Sequence, residues 1–214
     1  MFLSGPEGAL EAQFDTPCDE HGEYRDIAIL CHPHPQYGGS MHDGVLATAA
    51  QCLLNNGYAC LRFNFRGVGQ SDGQFGQGFG EQEDLVAMIN WMQQDYPEHN
   101  LHIVGYSFGA NVAFNTMARY QQLNADGPEL QQVILIAPPV GMMDFSQPLS
   151  QTEGKLPPIH AIAGDQDNFV DPDVFSQWQG VNTHLIPSAD HFFSGVHTQL
   201  AQLIQQVVAE DTRS

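Results

Sequence analysis

LHIVGYSFGANVAF, residues 101–114, is the stretch of sequence on which the fold assignment depends. The apolar run Leu101 to Gly105 has the length and composition of a strand, and Ala110 to Phe114 begins a helical stretch. Ser107 lies between them in the pattern GxSxG, whose glycines remove side chains where the chain must reverse sharply. This stretch therefore predicts a serine on a tight turn between a strand and a helix.

Apolar runs of strand length recur on both sides of this stretch and alternate with amphipathic stretches of helical length. This alternation predicts an α/β fold with a mostly parallel, twisted sheet and helices on both faces. The predicted strands are Asp26 to Cys31, Tyr58 to Phe65, Leu101 to Gly105, Gln132 to Ala137, Ile159 to Ala163 and Thr183 to Ile186. The predicted helices are Val45 to Asn55, Leu85 to Gln94 with an acidic first turn, and one each after Ser107 and Phe193.

Length and composition limit the class of protein. We expect the 214 residues, 42% of them hydrophobic, to form a single domain over 1–214. The net charge of -19 argues against nucleic acids and anionic membranes as partners. The N-terminal residues lack the pattern of a signal peptide, so a cytoplasmic location is expected. Four cysteines without CxxC spacing indicate reduced thiols: Cys18, Cys31, Cys52 and Cys60.

The pattern GxSxG occurs twice, so the pattern alone does not identify a nucleophile. Ser71, in the first copy, lies in a glycine-rich loop from Gly67 to Gly80, whereas Ser107 lies between a predicted strand and a predicted helix. Ser107 is therefore the candidate nucleophile, with a simple helix cap as the alternative. The helix that follows directs its N-terminal dipole at the serine, and the backbone N–H of Phe108 is one candidate donor to an oxyanion.

A histidine and a carboxylate follow Ser107 in the order that serine nucleophiles on such turns require. His191, in the loop after the last predicted strand, is the candidate general base. Three aspartates follow the preceding strand, and we expect Asp165 to form a turn and Asp171 to cap a helix. Asp167 is therefore the favoured partner of His191, with Asp165 as the alternative, and Asp190 is assigned to local turn chemistry.

The second donor to an oxyanion is expected in the loop that follows the first predicted strand. This loop contains the segment His32-Pro33-His34-Pro35, in which the two prolines have no N–H to donate. The backbone N–H of His34 is the first candidate, followed by those of Gln36 and Tyr37.

Three motifs together resemble the α/β-hydrolase superfamily: HPHP at 32–35, NFRGVGQS at 64–71 and GYSFG at 105–109. The resemblance spans nearly the whole chain and is to a bacterial branch of small members without a lid, related to dienelactone hydrolases. It implies an α/β-hydrolase fold without a cap domain and a carboxylesterase-like activity. It also supports Asp167, because the family pattern there is GxxD, and assigns residues 66–71 a structural role. The sequence differs from dienelactone hydrolases proper at the position of the nucleophile, where they have a cysteine and this chain has Ser107.

The resulting hypothesis is a serine hydrolase that acts on a small acyl compound through Ser107, Asp167 and His191. It implies no cofactor and leaves monomer and homodimer open. One alternative is a metal-dependent hydrolase, because His32 and His34 form an HxH pair, although the spacing of the residues that follow is wrong for the familiar HxHxDH site. The other is a binding protein that shares the fold without turnover.

Overall fold

Eight strands form one sheet in the computed structural model, which describes residues 1–17, 24–123, 129–145 and 157–211. The strands are β1 (Phe2–Gly5), β2 (Gly8–Asp15), β3 (Ile27–Cys31), β4 (Ala59–Phe63), β5 (Leu101–Tyr106), β6 (Leu130–Ile136), β7 (Ile159–Gly164) and β8 (Asn182–Ile186). Their order across the sheet is β1-β2-β4-β3-β5-β6-β7-β8. From β4 to β8 all neighbours are parallel, and only β2 pairs antiparallel with β1 and β4.

Helices cover both faces of this sheet. They are α1 (Gly44–Asn55), α2 (Phe79–Asp95), α3 (Phe108–Leu123), α4 (Pro172–Ser176) and α5 (His197–Asp211). Two apolar cores result, because α1 and α5 pack on one face of the sheet while α2 and α3 pack on the other. Within the described ranges, no helix has the length and apolar character needed to span a bilayer.

The predicted α/β class and its six parallel strands are confirmed, with small shifts of the strand ends. Asp171 caps α4 as predicted, since its side chain accepts the backbone N–H groups of Asp173 and Val174. Among the cysteines that the structure describes, Cys31, Cys52 and Cys60 are buried free thiols, whereas Cys18 lies outside the described residues. The prolines between Pro138 and Pro158 predict a long loop there, of which residues 146–156 also lie outside the described residues.

α2 begins at Phe79, before the stretch from Leu85 that shows helical spacing, and the predicted acidic first turn contains Glu81. Two acidic residues before Leu85 are structural parts of the fold. Glu81 is buried and accepts the backbone N–H groups of Gly76 and Gly78, both at 2.7 Å. Asp84 is buried as well and forms a bidentate ion pair with Arg66. These carboxylates hold the glycine-rich loop against the helix.

His32 connects the ends of β3 and β4. Its ring is completely buried, with Nδ1 2.7 Å from the backbone oxygen of Pro33 and Nε2 3.0 Å from the backbone nitrogen of Phe65. An oxygen can only accept and an N–H can only donate, so Nδ1 carries the proton and the imidazole is neutral. Burial lowers the pKa of His32 from 6.5 to about 4, although the hydrogen bond to Pro33 opposes this shift.

We expect His32 to make stability depend on pH. Below about pH 6.5 the unfolded chain binds a proton that the folded chain does not, so the free energy of unfolding falls as the pH falls. The loss due to His32 should reach about 2 kcal/mol at about pH 5. Urea denaturation of the wild type and of His32→Asn tests this expectation, because the stability advantage of the wild type should narrow by that amount between about pH 7.5 and about pH 5. An advantage that is the same at both pH values would contradict it.

Candidate active site

Ser107 lies at the sharp bend between β5 and α3. Its φ is 55°, in the left-handed region that non-glycine residues rarely adopt. A side chain on Gly105 would overlap the backbone of Gly109, and one on Gly109 would overlap the backbone oxygen of Cys31. Both glycines of the motif are therefore required by space, because α3 leaves the bend in direct contact with β5 and with the end of β3.

The structure brings His191 and Asp167 to this bend. His191 Nε2 is 3.0 Å from the Ser107 hydroxyl oxygen, and His191 Nδ1 is 2.8 Å from Asp167 Oδ2. The other oxygen of Asp167 accepts the backbone N–H of Phe169 at 2.8 Å. Asp167 and His191 are both buried, each with 7% of its surface exposed. These contacts form an unbroken hydrogen-bonded chain from a buried carboxylate to a serine hydroxyl, which is the arrangement that activates a serine.

The loops that carry Asp167 and His191 are packed together by Gly164. A side chain at this glycine would overlap the backbone of Ala189, so the loop after β7 lies directly on the loop after β8. Asp165 strengthens this contact, because its Oδ1 accepts the backbone N–H of Ser188 at 2.7 Å. Asp190 Oδ1 accepts the N–H groups of Phe192 and Ser194. The structure therefore places Asp167 against the imidazole of His191, and not Asp165 or Asp190.

Ser71, in the other copy of GxSxG, lies away from His191 and serves the fold. Its hydroxyl donates to the backbone oxygen of Asn64 at 2.7 Å and accepts the backbone N–H of Glu11 at 2.9 Å. These bonds attach the glycine-rich loop to β2, and the buried Arg66 holds the same loop to α2. Both hydrogen-bonding roles of the Ser71 hydroxyl are thus directed at the backbone.

The candidate backbone N–H donors lie on two elements, α3 and the loop after β3. Phe108 is the first residue of α3, and its ring lies 4.9 Å from the ring of His34 in the loop after β3. The N–H of Gln36 donates to His34 Nδ1, and that of Tyr37 donates to the His34 backbone oxygen. Within the described part of the chain, the N–H groups of Phe108 and His34 have no such acceptor. Of the three candidates in this loop, His34 therefore keeps a free donor.

The pair His32 and His34 does not have the geometry of a metal site. Both ring nitrogens of His32 are bound to backbone groups, and Nδ1 of His34 accepts the N–H of Gln36. A metal ion needs a free nitrogen lone pair from each histidine ligand. Among the described residues, no three His, Cys, Asp or Glu side chains are grouped so that they could hold a metal ion.

Three aromatic residues contact His191 that the sequence interpretation did not identify. Tyr106, directly before the serine, is buried and its hydroxyl donates to the backbone oxygen of His191 at 3.1 Å. Burial raises the pKa of Tyr106, so this hydroxyl keeps its proton. The rings of Phe169 and Phe192 lie 4.5 Å and 5.4 Å from the imidazole. No local pattern predicts the contacts of Tyr106 and Phe169 with His191, because these residues lie on other segments of the chain.

Comparisons with known proteins identify the family of this chain. The model of the family Hydrolase_4, described as "Serine aminopeptidase, S33", matches residues 23–161. The uncharacterized protein RP471 of Rickettsia prowazekii is 35% identical over 209 residues, which cover 90% of this chain and 81% of the relative.

Two solved structures resemble the whole fold. XC6422 from Xanthomonas campestris, described as an α/β serine hydrolase without a lid, superposes with a TM-score of 0.86 at 35% identity and covers 98% of this chain and 93% of its own. An α/β serine hydrolase homologue from Coxiella burnetii superposes with a TM-score of 0.81 at 31% identity and covers 96% and 95%. The chain therefore belongs to the Hydrolase_4 family of α/β serine hydrolases, and its fold resembles that of a member described as lacking a lid.

Proposed function

We propose that this protein is a serine esterase that hydrolyses small carboxylic esters through an acyl-enzyme intermediate. The observation that carries the proposal is the pair of hydrogen bonds at His191, 3.0 Å to the hydroxyl of Ser107 and 2.8 Å to the carboxylate of Asp167. In this proposal Ser107 is the nucleophile, His191 the general base and Asp167 the residue that orients the imidazole. The roles agree with membership of a hydrolase family whose solved relatives are serine hydrolases.

The proposed reaction has two halves. In the first, Ser107 Oγ attacks the acyl carbon while His191 Nε2 takes the hydroxyl proton, and the acyl C–O bond then breaks as His191 returns that proton to the leaving alcohol. In the second, a water molecule attacks the acyl carbon and passes a proton to His191. The bond from the acyl carbon to Ser107 Oγ then breaks as His191 returns that proton to the serine, and the carboxylic acid leaves. Asp167 stabilises the imidazolium in both halves because it accepts from Nδ1.

The backbone N–H groups of Phe108 and His34 are the proposed donors to the oxyanion that forms in each half. They support the proposal because fixed donors aimed at developing negative charge are a large part of catalysis by such enzymes. The positive φ of Ser107 serves the same purpose, since it holds the hydroxyl outside the run of α3.

Two other functions fit the structure less well. A metal-dependent mechanism through His32 and His34 lacks support because the nitrogens of His32 are bound to backbone groups. A binding protein without turnover would have no need for a strained serine that is aligned with a buried imidazole and carboxylate. Reaction with a fluorophosphonate distinguishes this second alternative, because the probe modifies only activated serines.

Ser107→Ala should abolish labelling by a fluorophosphonate and lower the turnover of p-nitrophenyl acetate by at least about a thousandfold. The matched control is Ser71→Ala, which removes the serine of the other GxSxG pattern and should keep both activities in whatever fraction of the protein is folded. Labelling is read by intact-protein mass spectrometry and folding by circular dichroism. Labelling that survives in Ser107→Ala, or a folded wild type that never labels, would rule out the proposal.

Asp167→Asn should lower kcat for p-nitrophenyl acetate by about a thousandfold, because the amide no longer holds the proton of His191 on Nδ1. Asp165→Asn tests the alternative carboxylate and should cost less than about tenfold, since Asp165 contacts the backbone of Ser188 and not the imidazole. Initial rates of the two purified variants give the comparison. A larger loss in Asp165→Asn than in Asp167→Asn would exchange the two assignments.

A further inference from the structure

Two phenylalanine rings lie in solvent beside the imidazole of His191. Phe169 is 43% exposed with its ring centroid 4.5 Å from that of His191, and Phe192 is 60% exposed at 5.4 Å. Single exposed apolar side chains are common on protein surfaces, but two phenylalanine rings beside one imidazole form a local apolar patch. Such a patch, next to a partly exposed nucleophile, is a surface on which an apolar part of a ligand can pack.

The backbone holds both rings in this position. Phe193 is completely buried at a φ of 53°, so the bend that directs its ring into the core directs the preceding Phe192 outward. Asp190 stabilises the bend, because its carboxylate accepts the N–H of Phe192. The N–H of Phe169 donates to the carboxylate of Asp167. Each ring is thus held by the same turn that positions His191 or its partner.

The position of the rings indicates which half of an ester they contact. In the proposed reaction His191 Nε2 must give its proton to the oxygen of the departing alcohol, so this oxygen must come within hydrogen-bonding distance of the imidazole. The alcohol group then extends from that oxygen along the surface around His191, where Phe169 and Phe192 lie. The acyl group lies on the other side of this oxygen, because it contains the carbonyl carbon that Ser107 attacks.

The charges near the rings indicate that this alcohol is uncharged. Backbone N–H groups of Ser194 and Phe192 lower the pKa of Asp190, so a carboxylate stands on the turn that carries Phe192. The arginines whose side chains the structure describes are engaged elsewhere. Arg62 pairs with Asp15, Arg66 pairs with Asp84, and Arg25 lies over the ring of Tyr58. An anionic alcohol would meet a like charge there, and none of these arginines would offset it.

We propose that Phe169 and Phe192 form a subsite for the leaving alcohol of the ester and that this alcohol is apolar and uncharged, such as an arylalkyl group. The inference rests on the proposed esterase chemistry and adds the substrate class to it. An aromatic alcohol gains ring contacts on this surface that a short alkyl alcohol does not make.

The test keeps the acetyl group constant and varies the alcohol. The kcat/KM of the wild type should be highest for benzyl acetate, lower for ethyl acetate, and at least about tenfold lower for 4-carboxybenzyl acetate than for benzyl acetate. Phe192→Ala and Phe169→Ala should each lower the ratio of kcat/KM for benzyl acetate to that for ethyl acetate by about fivefold to tenfold. Hydrolysis of the acetyl-enzyme is common to all three esters, so it should not depend on the alcohol.

Phe2→Ala is the matched control, because Phe2 is a phenylalanine with 56% exposure on β1 at the far edge of the sheet. It should leave all ratios unchanged. The subsite is overturned if the ratio of kcat/KM for benzyl acetate to that for ethyl acetate stays within twofold of the wild-type ratio in both Phe192→Ala and Phe169→Ala. It is also overturned if this ratio changes by the same factor in Phe2→Ala. Wild-type protein that reacts with the fluorophosphonate but fails to prefer benzyl acetate also overturns the subsite while the esterase proposal stands. Wild-type protein that neither reacts with the probe nor hydrolyses any of the esters overturns both.

Discussion

The structure depends on one close approach of backbone to backbone at the bend that carries Ser107. α3 can follow β5 without a loop only because Gly105 and Gly109 lack side chains, so that the start of the helix lies against β5 and the end of β3. This contact costs the serine a strained φ, and packing on both faces of the sheet holds that conformation in place. Without the bend, the hydroxyl would belong to an ordinary helix cap.

Parallel strands explain how residues distant in sequence reach this bend. Because the carboxyl ends of parallel strands lie at one edge of the sheet, the loops after β3, β5, β7 and β8 all emerge beside one another. These loops carry His34, Ser107, Asp167 and His191. Gly164 then brings the last two loops into contact, which places the carboxylate and the imidazole within hydrogen-bonding distance. The site is thus a consequence of topology together with three glycines.

Much of this could be predicted from the sequence, because buried parallel strands are continuous apolar runs. β3, β5 and β7 have no exposed residue, and their sequences are correspondingly simple to interpret. The chain order of Ser107, Asp167 and His191 also led to the expectation that these residues lie together, and the structure joins the three side chains by hydrogen bonds. The hairpin of β1 and β2 was not predicted, because β1 has only four residues and β2 mixes apolar with charged residues. Contacts between loops, such as that of Tyr106 with His191, were also missed because they depend on the folded chain and not on local patterns.

The two copies of GxSxG show what a short motif leaves undetermined. Around Ser71 the same five-residue motif has a structural role. The Ser71 hydroxyl donates to one backbone group and accepts from another. Because this hydroxyl already donates its only proton to the backbone oxygen of Asn64, the proton is not available to a general base. Genome surveys that count GxSxG motifs should therefore take into account the predicted secondary structure on both sides of each motif. The same five-residue pattern has a structural role in a glycine-rich loop and positions a candidate nucleophile between a strand and a helix.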